Sequence, residues 1–226
     1  MKKLVFDASS IISLSEKCFI NIIGKLAEQK KAGFFMPESV FFETVTHPMK
    51  IRRFELNAFR IQSAINNNWF TAVKPGKETM QTLQATVKIA QNLCYADGQP
   101  IQVMHRGELE ALALLKEMNA DALVIDERTT RMLLEEPQNL RSLLEFRHRK
   151  KISFDEKKLL EFRRLFGGTR IFRSSEMLAL AYEQNCFGKE LEHSKASLKA
   201  ALFSVKYAGC AITGNEITEY LKGVAK

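Results

Sequence analysis

The chain has 226 residues, 46% of them hydrophobic, and no tract of low complexity, so it can bury a substantial core as one large domain or a domain with an appendage. Thirty-four Lys and Arg against 26 Asp and Glu give a net charge of +8 and a pI near 9.3, a field that draws polyanions such as nucleic acid more readily than acidic proteins would. The four cysteines, Cys18, Cys94, Cys186 and Cys210, contain no C-x-x-C pair, which argues against a thiolate zinc site and against a secreted disulfide scaffold.

The first element is the short apolar strand "KLVFDAS", closed by Asp7. Lysines do precede it, but Asp7, Ser9 and Ser10 interrupt the apolar run and no small-residue cleavage site follows, so it is not read as a signal peptide. No segment reaches the roughly 18 consecutive apolar residues of a membrane span, and a cytoplasmic chain with no membrane partner is expected. Ile12, Phe19, Ile22, Ile23 and Leu26 then recur at helical spacing, predicting a helix over 10–30. "GFFMP" reads as a second strand stopped by Pro37. "ESVFFETVTH" reads as a helix ended by His47-Pro48. A basic helix is expected over 50–66, a strand in "WFTAVKP", a helix over 77–93, and a loop in "YADGQPIQ", where Asp97-Gly98 supplies turn chemistry.

A helix over 107–118 and the strand "DALVID" complete a β/α alternation that argues for a parallel sheet with helices on both faces. Residues 137–170 break the pattern with charged, helical sequence, where Ser153 and Glu156 fit a capping box and Gly167-Gly168 a helix stop. "TRIFRSS" reads as a further strand leading into the helix "EMLALAYEQN". The tail reads as a helix ending at Gly209, a turn through Gly214-Asn215 and a short terminal helix.

The acids can now be placed. In an open α/β sheet, functional groups gather outside the carboxyl ends of the strands, and both Asp7 and Asp126 sit at such an end. Right-handed crossovers point those ends the same way. Helices begin on that side too, so Glu108 is delivered to the same rim, and Glu43 reaches it from the helix after the second strand. Crowded carboxylates repel, and such a cluster persists only by taking up protons or sharing cations. With all-oxygen donors the cation would be Mg²⁺ or Mn²⁺.

"LVFDASSIISL", "PESVFFETV", "GELEALAL" and "LVIDERTTR" together resemble the four acidic blocks of the PIN domain, in the version whose third block reads Gly-Glu-x-Glu-Ala. The resemblance covers about residues 1–136 and resumes in "IFRSSEMLALAYEQN". It implies a three-layer α/β/α sandwich with a parallel sheet over residues 1–190, interrupted by a helical insertion at about 137–168 and followed by a helical extension over 191–226, packed on or beside it. The insertion and the long tail depart from the family pattern.

Carried over block by block, the resemblance makes Asp7, Glu43, Glu108 and Asp126 the metal-holding and catalytic acids of an endoribonuclease that hydrolyses RNA phosphodiesters. Asp7 and Asp126 would be the main anchors, Glu108 a third ligand, and Glu43 a ligand or the holder of the attacking water. Glu110 lies about 200° of helix from Glu108, so it is expected behind the ligands rather than on the ion. Ser9 is expected to donate to a ligand or a phosphate, and Arg128 to contact the scissile phosphate. Lys50, Arg52, Arg53, Arg147, Arg149, Lys150 and Lys151 are the candidates for drawing RNA past an acidic pocket.

Ordinary roles stand beside these. Asp7 could simply cap a helix, Glu108 and Glu110 could simply suit a first helical turn, Glu43 and the run at 147–151 could be solvated surface, and Phe34, Phe35, Phe41 and Phe42 read as core. Two other functions also fit: a non-catalytic RNA-binding module, with the ribosome as one partner, and a toxin ribonuclease held by an antitoxin peptide. The apolar tail helix suits a homodimer interface as well as it suits packing onto its own core.

Overall fold

A computed structural model describes residues 2–188 and 190–223; the last three residues of the expected tail lie outside the described residues. Eight strands run along the described chain: β1 (Lys3–Phe6), β2 (Gly33–Pro37), β3 (Phe70–Val73), β4 (Cys94–Ala96), β5 (Gln99–Pro100), β6 (Ala122–Val124), β7 (Ile152–Phe154) and β8 (Ile171–Phe172). Five of them form one parallel sheet in the order β3-β2-β1-β6-β8, and β5-β4-β7 form a small antiparallel sheet.

Successive side chains of a strand point to opposite faces, and the two faces of the large sheet hold two separate cores. Phe6, Phe34 and Phe70 belong to one, with ring centroids 5.0 to 5.6 Å apart; Val5, Leu123 and Ile125 belong to the other. Helices α1 (Ala8–Glu16), α2 (Ile20–Lys30), α3 (Glu38–Phe41) and α4 (Arg52–Asn66) send apolar residues to the first core. Helices α5 (Lys77–Gln91), α6 (Arg106–Glu117), α7 (Arg128–Glu135), α8 (Pro137–His148) and α9 (Glu156–Phe166) serve the second. The chain then returns to the first face with α10 (Ser174–Glu183), α11 (Lys195–Ala208) and α12 (Gly214–Gly223). The result is the α/β/α sandwich expected. No helix among the described residues is long and apolar enough to cross a membrane.

Several local expectations are corrected. The helix expected over 10–30 is two helices, because Cys18 takes a left-handed φ of 62° and the chain turns there. The helix of "ESVFFETVTH" is one turn of α3 followed by a π-helical turn, Phe42–Thr46. The expected loop around 97–98 is a hairpin joining β4 to β5, with Asp97 and Gly98 both at positive φ, the conformation that Asp-Gly favours in tight hairpins.

The insertion is not purely helical either. Ser153 lies in β7, which pairs with β4, and the cap of α9 is Asp155, whose carboxylate accepts the backbone amides of Lys157 and Lys158. Leu140, Leu144, Ile152, Phe162 and Phe166 of this segment are buried in the second core beside Val5. Residues 128–135, given no element from sequence, form α7. Gly214 and Asn215 begin α12 rather than a turn, which falls earlier, after Gly209 at φ 120°.

One glycine is fixed by packing. The Trp69 indole lies against Gly24 of α2, where an added Cβ would meet Trp69 Cδ2 at 2.1 Å, and the indole is itself held by its N–H donating to Glu28 at 2.6 Å. Gly24→Ala is therefore expected to lower the melting temperature by several degrees through overpacking, about 1–3 kcal/mol, although alanine is the better helix former. A thermal melt in which the variant equals or exceeds the parent would show that the indole yields freely.

Candidate active site

The carboxyl edge of the sheet collects the acids. Asp7 follows β1 and caps α1: its Oδ2 accepts the Ser9 backbone amide at 3.0 Å and the Ser9 hydroxyl at 2.6 Å. The same hydroxyl accepts the Asp126 amide at 3.0 Å. Ser9 thus ties the ends of two neighbouring strands, and Ser10 doubles the tie, its hydroxyl 3.0 Å from the carbonyls of both Asp7 and Val124. Asp126 follows β6 and is fully engaged, with Oδ1 accepting the Ser174 amide at 2.7 Å and Oδ2 the Ser174 hydroxyl at 2.7 Å.

Glu108 comes from the first turn of α6. Its Oε2 accepts the His105 amide at 2.8 Å, closing the helix start, and the Thr130 hydroxyl of α7 at 2.9 Å. Glu43 arrives on the π-helical turn. The wide turn, closed by the His47 amide donating to the Phe42 carbonyl at 2.9 Å, sends Val40, Thr44 and Val45 inward and leaves Phe42 and Glu43 outside. Single π turns of this kind recur where a helix must re-aim a side chain at a functional site. Glu43 leans over the start of α6, so that a Cβ on Gly107 would lie 3.4 Å from its Oε2. Glu110 is buried and lines, with Glu43, Phe42, His47, Met80 and Arg106, a cleft of about 590 Å³.

The charges sense one another. Burial raises the Asp7 carboxyl above the usual carboxylate range, Ser9 and Ala8 pull it back, and the Asp126 charge adds to the rise. Glu108 is pushed up to about 7, first by burial and then by Asp7, with His105 and Thr130 opposing. Glu43 is exposed by surface area, yet enough protein surrounds its carboxyl that desolvation, and after it the Asp7 charge, raise its pKa, while His105 lowers it. Asp7 is therefore within electrostatic reach of the other three.

Among the described residues none of the four acids has an ion-pair partner. Nor are any three Asp, Glu, His or Cys side chains already set to share one metal ion. The donor chemistry nevertheless fits a hard divalent cation: the available groups are carboxylate oxygens, and burial first, with the charge of a neighbouring acid behind it, raises the carboxyls of Asp7, Glu43 and Glu108.

The cations are more dispersed. Lys50, Arg52 and Arg53 are exposed beside the π turn, and the Arg53 guanidinium lies 5.4 Å from the Phe54 ring centroid. Arg128 is exposed at the start of α7. Arg147 reaches from α8 to the Thr129 hydroxyl at 3.4 Å, one residue from the Thr130 that holds Glu108. Arg149 caps α8 in a left-handed conformation, and Lys150 and Lys151 lead away toward the small sheet, where the Lys151 amide donates to Asp97 at 3.2 Å.

Four residues of the site were not singled out from sequence. Thr130 and His105 hold Glu108, Arg106 lines the cleft, and Ser174 holds Asp126. Ser174 had a signal, since it follows β8 on the rim where functional groups gather. It is also well anchored. The neighbouring Arg173 is buried and binds Glu176, the Ala211 carbonyl at 2.8 Å and Glu216 of α12 at 2.8 Å. Burial alone would raise Glu216, but the Thr213 amide and Arg173 hold it down at about 2. The C-terminal helices are in this way tied to the residue that orients Asp126.

A family model described as a PIN domain matches residues 3–138, more than half of the chain. No curated protein and no solved structure gives a match.

Proposed function

The chain belongs to the PIN-domain family and has that family's nuclease fold, and from this premise we propose that it is a metal-dependent endoribonuclease hydrolysing RNA phosphodiesters at the rim formed by Asp7, Glu43, Glu108 and Asp126. The observation that carries the reading is three buried acids from distant segments along one sheet edge, the Asp7 carboxylate and the Asp126 backbone amide joined through the Ser9 hydroxyl and Glu108 sensing the Asp7 charge, with no ion-pair partner among the described residues.

Asp7, Glu43, Glu108 and Asp126 would hold Mg²⁺ or Mn²⁺. A divalent cation bound there supplies a water of lowered pKa and offsets charge growing on the phosphate. The chain's own residues do the rest. Ser9 and Ser174 fix the orientations of Asp7 and Asp126 by donating to them. Glu43, the most exposed of the acids, takes the proton of the attacking water. Glu110 supports from the cleft behind it. Arg128 and Arg106 meet the phosphate, and Lys50, Arg52, Arg53, Arg147, Arg149, Lys150 and Lys151 draw RNA past an acidic rim that would otherwise repel it.

One observation favours a second reading, a non-catalytic RNA-binding module: both Asp126 oxygens are committed to Ser174, and no three ligands already converge. Incubation with a mixed RNA pool separates the two. Fragments are expected with Mn²⁺ or Mg²⁺ and none with chelator. RNA bound but uncut in every lane would favour the binding module, and equal cutting in chelator would end the metal reading.

A further inference from the structure

The sequence reads Phe42 as core, and the structure overturns this: the side chain is 55% exposed, while Phe34 in the preceding strand is buried. The ring stands at the mouth of a cleft instead of in the core. The exposure has a local cause. In a π turn residues five apart come near one face, which brings the Phe42 and His47 rings to a centroid separation of 6.2 Å with their planes 31° apart.

Both rings line the cleft that also contains Glu43, next to Phe42 in the chain, and Arg106. The cleft thus offers an aromatic surface, a cation and an acid of the proposed active site within one cavity of about 590 Å³. That combination matches a nucleotide unit: a flat base for the ring, a phosphate for the guanidinium, and the bond to be cut near the carboxylate. An acidic or purely apolar peptide would leave part of it unmatched. Lys50 and the Arg53–Phe54 pair, all exposed, follow in the chain soon after the π turn.

We propose that Phe42 is the platform on which the nucleobase adjoining the scissile phosphate stacks, with Arg106 contacting its phosphate. This rests on the endoribonuclease reading. Phe42 is a binding residue and takes no part in proton transfer.

The test measures binding of a short single-stranded RNA at low salt with chelator present, so that nothing is cut, for the unmodified protein, Phe42→Ala and Phe42→Tyr. A series of otherwise identical RNAs, each lacking one base, is measured in parallel. Phe42→Ala is expected to weaken binding about tenfold, with Phe42→Tyr retaining most of it. Removal of one particular base should weaken the unmodified protein by a similar factor and leave Phe42→Ala indifferent, which a merely structural effect of the substitution would not reproduce. Equal affinity of Phe42→Ala, or losses from Phe42→Ala that add in full to the loss from every missing base, would overturn the platform. If RNA is cut in a cation-dependent way while either of these holds, only the platform falls; if the unmodified protein neither binds nor cuts RNA, the endoribonuclease reading falls with it.

Discussion

Asp7→Asn is expected to reduce cation-dependent RNA cleavage by about three orders of magnitude and to erase the stabilisation that millimolar Mn²⁺ gives the unmodified protein, while leaving the fold intact. The activity estimate follows from what a mispositioned or missing divalent cation removes, several kcal/mol of charge stabilisation together with the supply of hydroxide near neutral pH. The second effect is mass action. A ligand present at about a hundred times its dissociation constant stabilises the folded state by roughly 2.7 kcal/mol, which for a chain of this size is about 5–10 °C in melting temperature.

The fold should survive because asparagine caps helices as well as aspartate does, and its amide oxygen can still accept from Ser9. Removing the charge also relieves a carboxylate that burial disfavours and that repels Glu43, Glu108 and Asp126. Melting and cleavage measured on the same preparations decide the matter. An Asp7→Asn protein that keeps the Mn²⁺ shift would place the cation elsewhere, and one that keeps cleavage would remove Asp7 from the chemistry.

The parts of this site that sequence could reveal are those set by the sheet. Asp7 and Asp126 end strands whose apolar residues alternate or run together, and parallel neighbours must present those ends on one edge. The helix start at Glu108 was legible for the same reason, since α6 begins where the connection returns to that edge. Lost to sequence were features decided by tertiary contact. Cys18 breaks a continuous helical pattern because Phe19 is drawn into the first core, a packing choice that periodicity does not contain. β7 looked helical because its three residues have no independent stability and exist as a strand only against β4. The π turn is a one-residue change in hydrogen bonding, invisible in composition, yet it decides that Phe42 and Glu43 face outward. Ser174 and Thr130 were invisible for a further reason: a lone hydroxyl has no pattern, and only the position of its acceptor gives it a role.

Glu108→Gln should raise the stability of cation-free protein at pH 8 and flatten its dependence on pH. In the folded chain the Glu108 carboxyl titrates at about 7 rather than near the ordinary 4.5, chiefly through burial and secondarily through Asp7. Between those two values the folded state keeps a proton that the unfolded chain has released, so stability is fully present below the lower value, falls as pH rises through the window, and remains lost above it. A shift of this size corresponds to roughly 1–3 kcal/mol, or about 3–10 °C.

Glutamine has nothing to ionise, and its amide oxygen can accept from His105 and Thr130, so the helix start is preserved. The variant and the unmodified protein should therefore melt close together at about pH 3, below the ordinary value of 4.5, where Glu108 is protonated in both states, and separate as pH is raised to 8. Some dependence must remain in the variant, because the Asp7 and Glu43 carboxyls are raised as well. Added Mn²⁺ should reverse the order, since the unmodified protein would gain the more from a cation that shares its carboxylate charge. Melting curves at the two pH values, each with and without Mn²⁺, read all four quantities at once. A glutamine variant less stable at pH 8 would mean that the carboxylate contributes to the fold as a helix cap, and a cluster maintained for folding would no longer call for a cation.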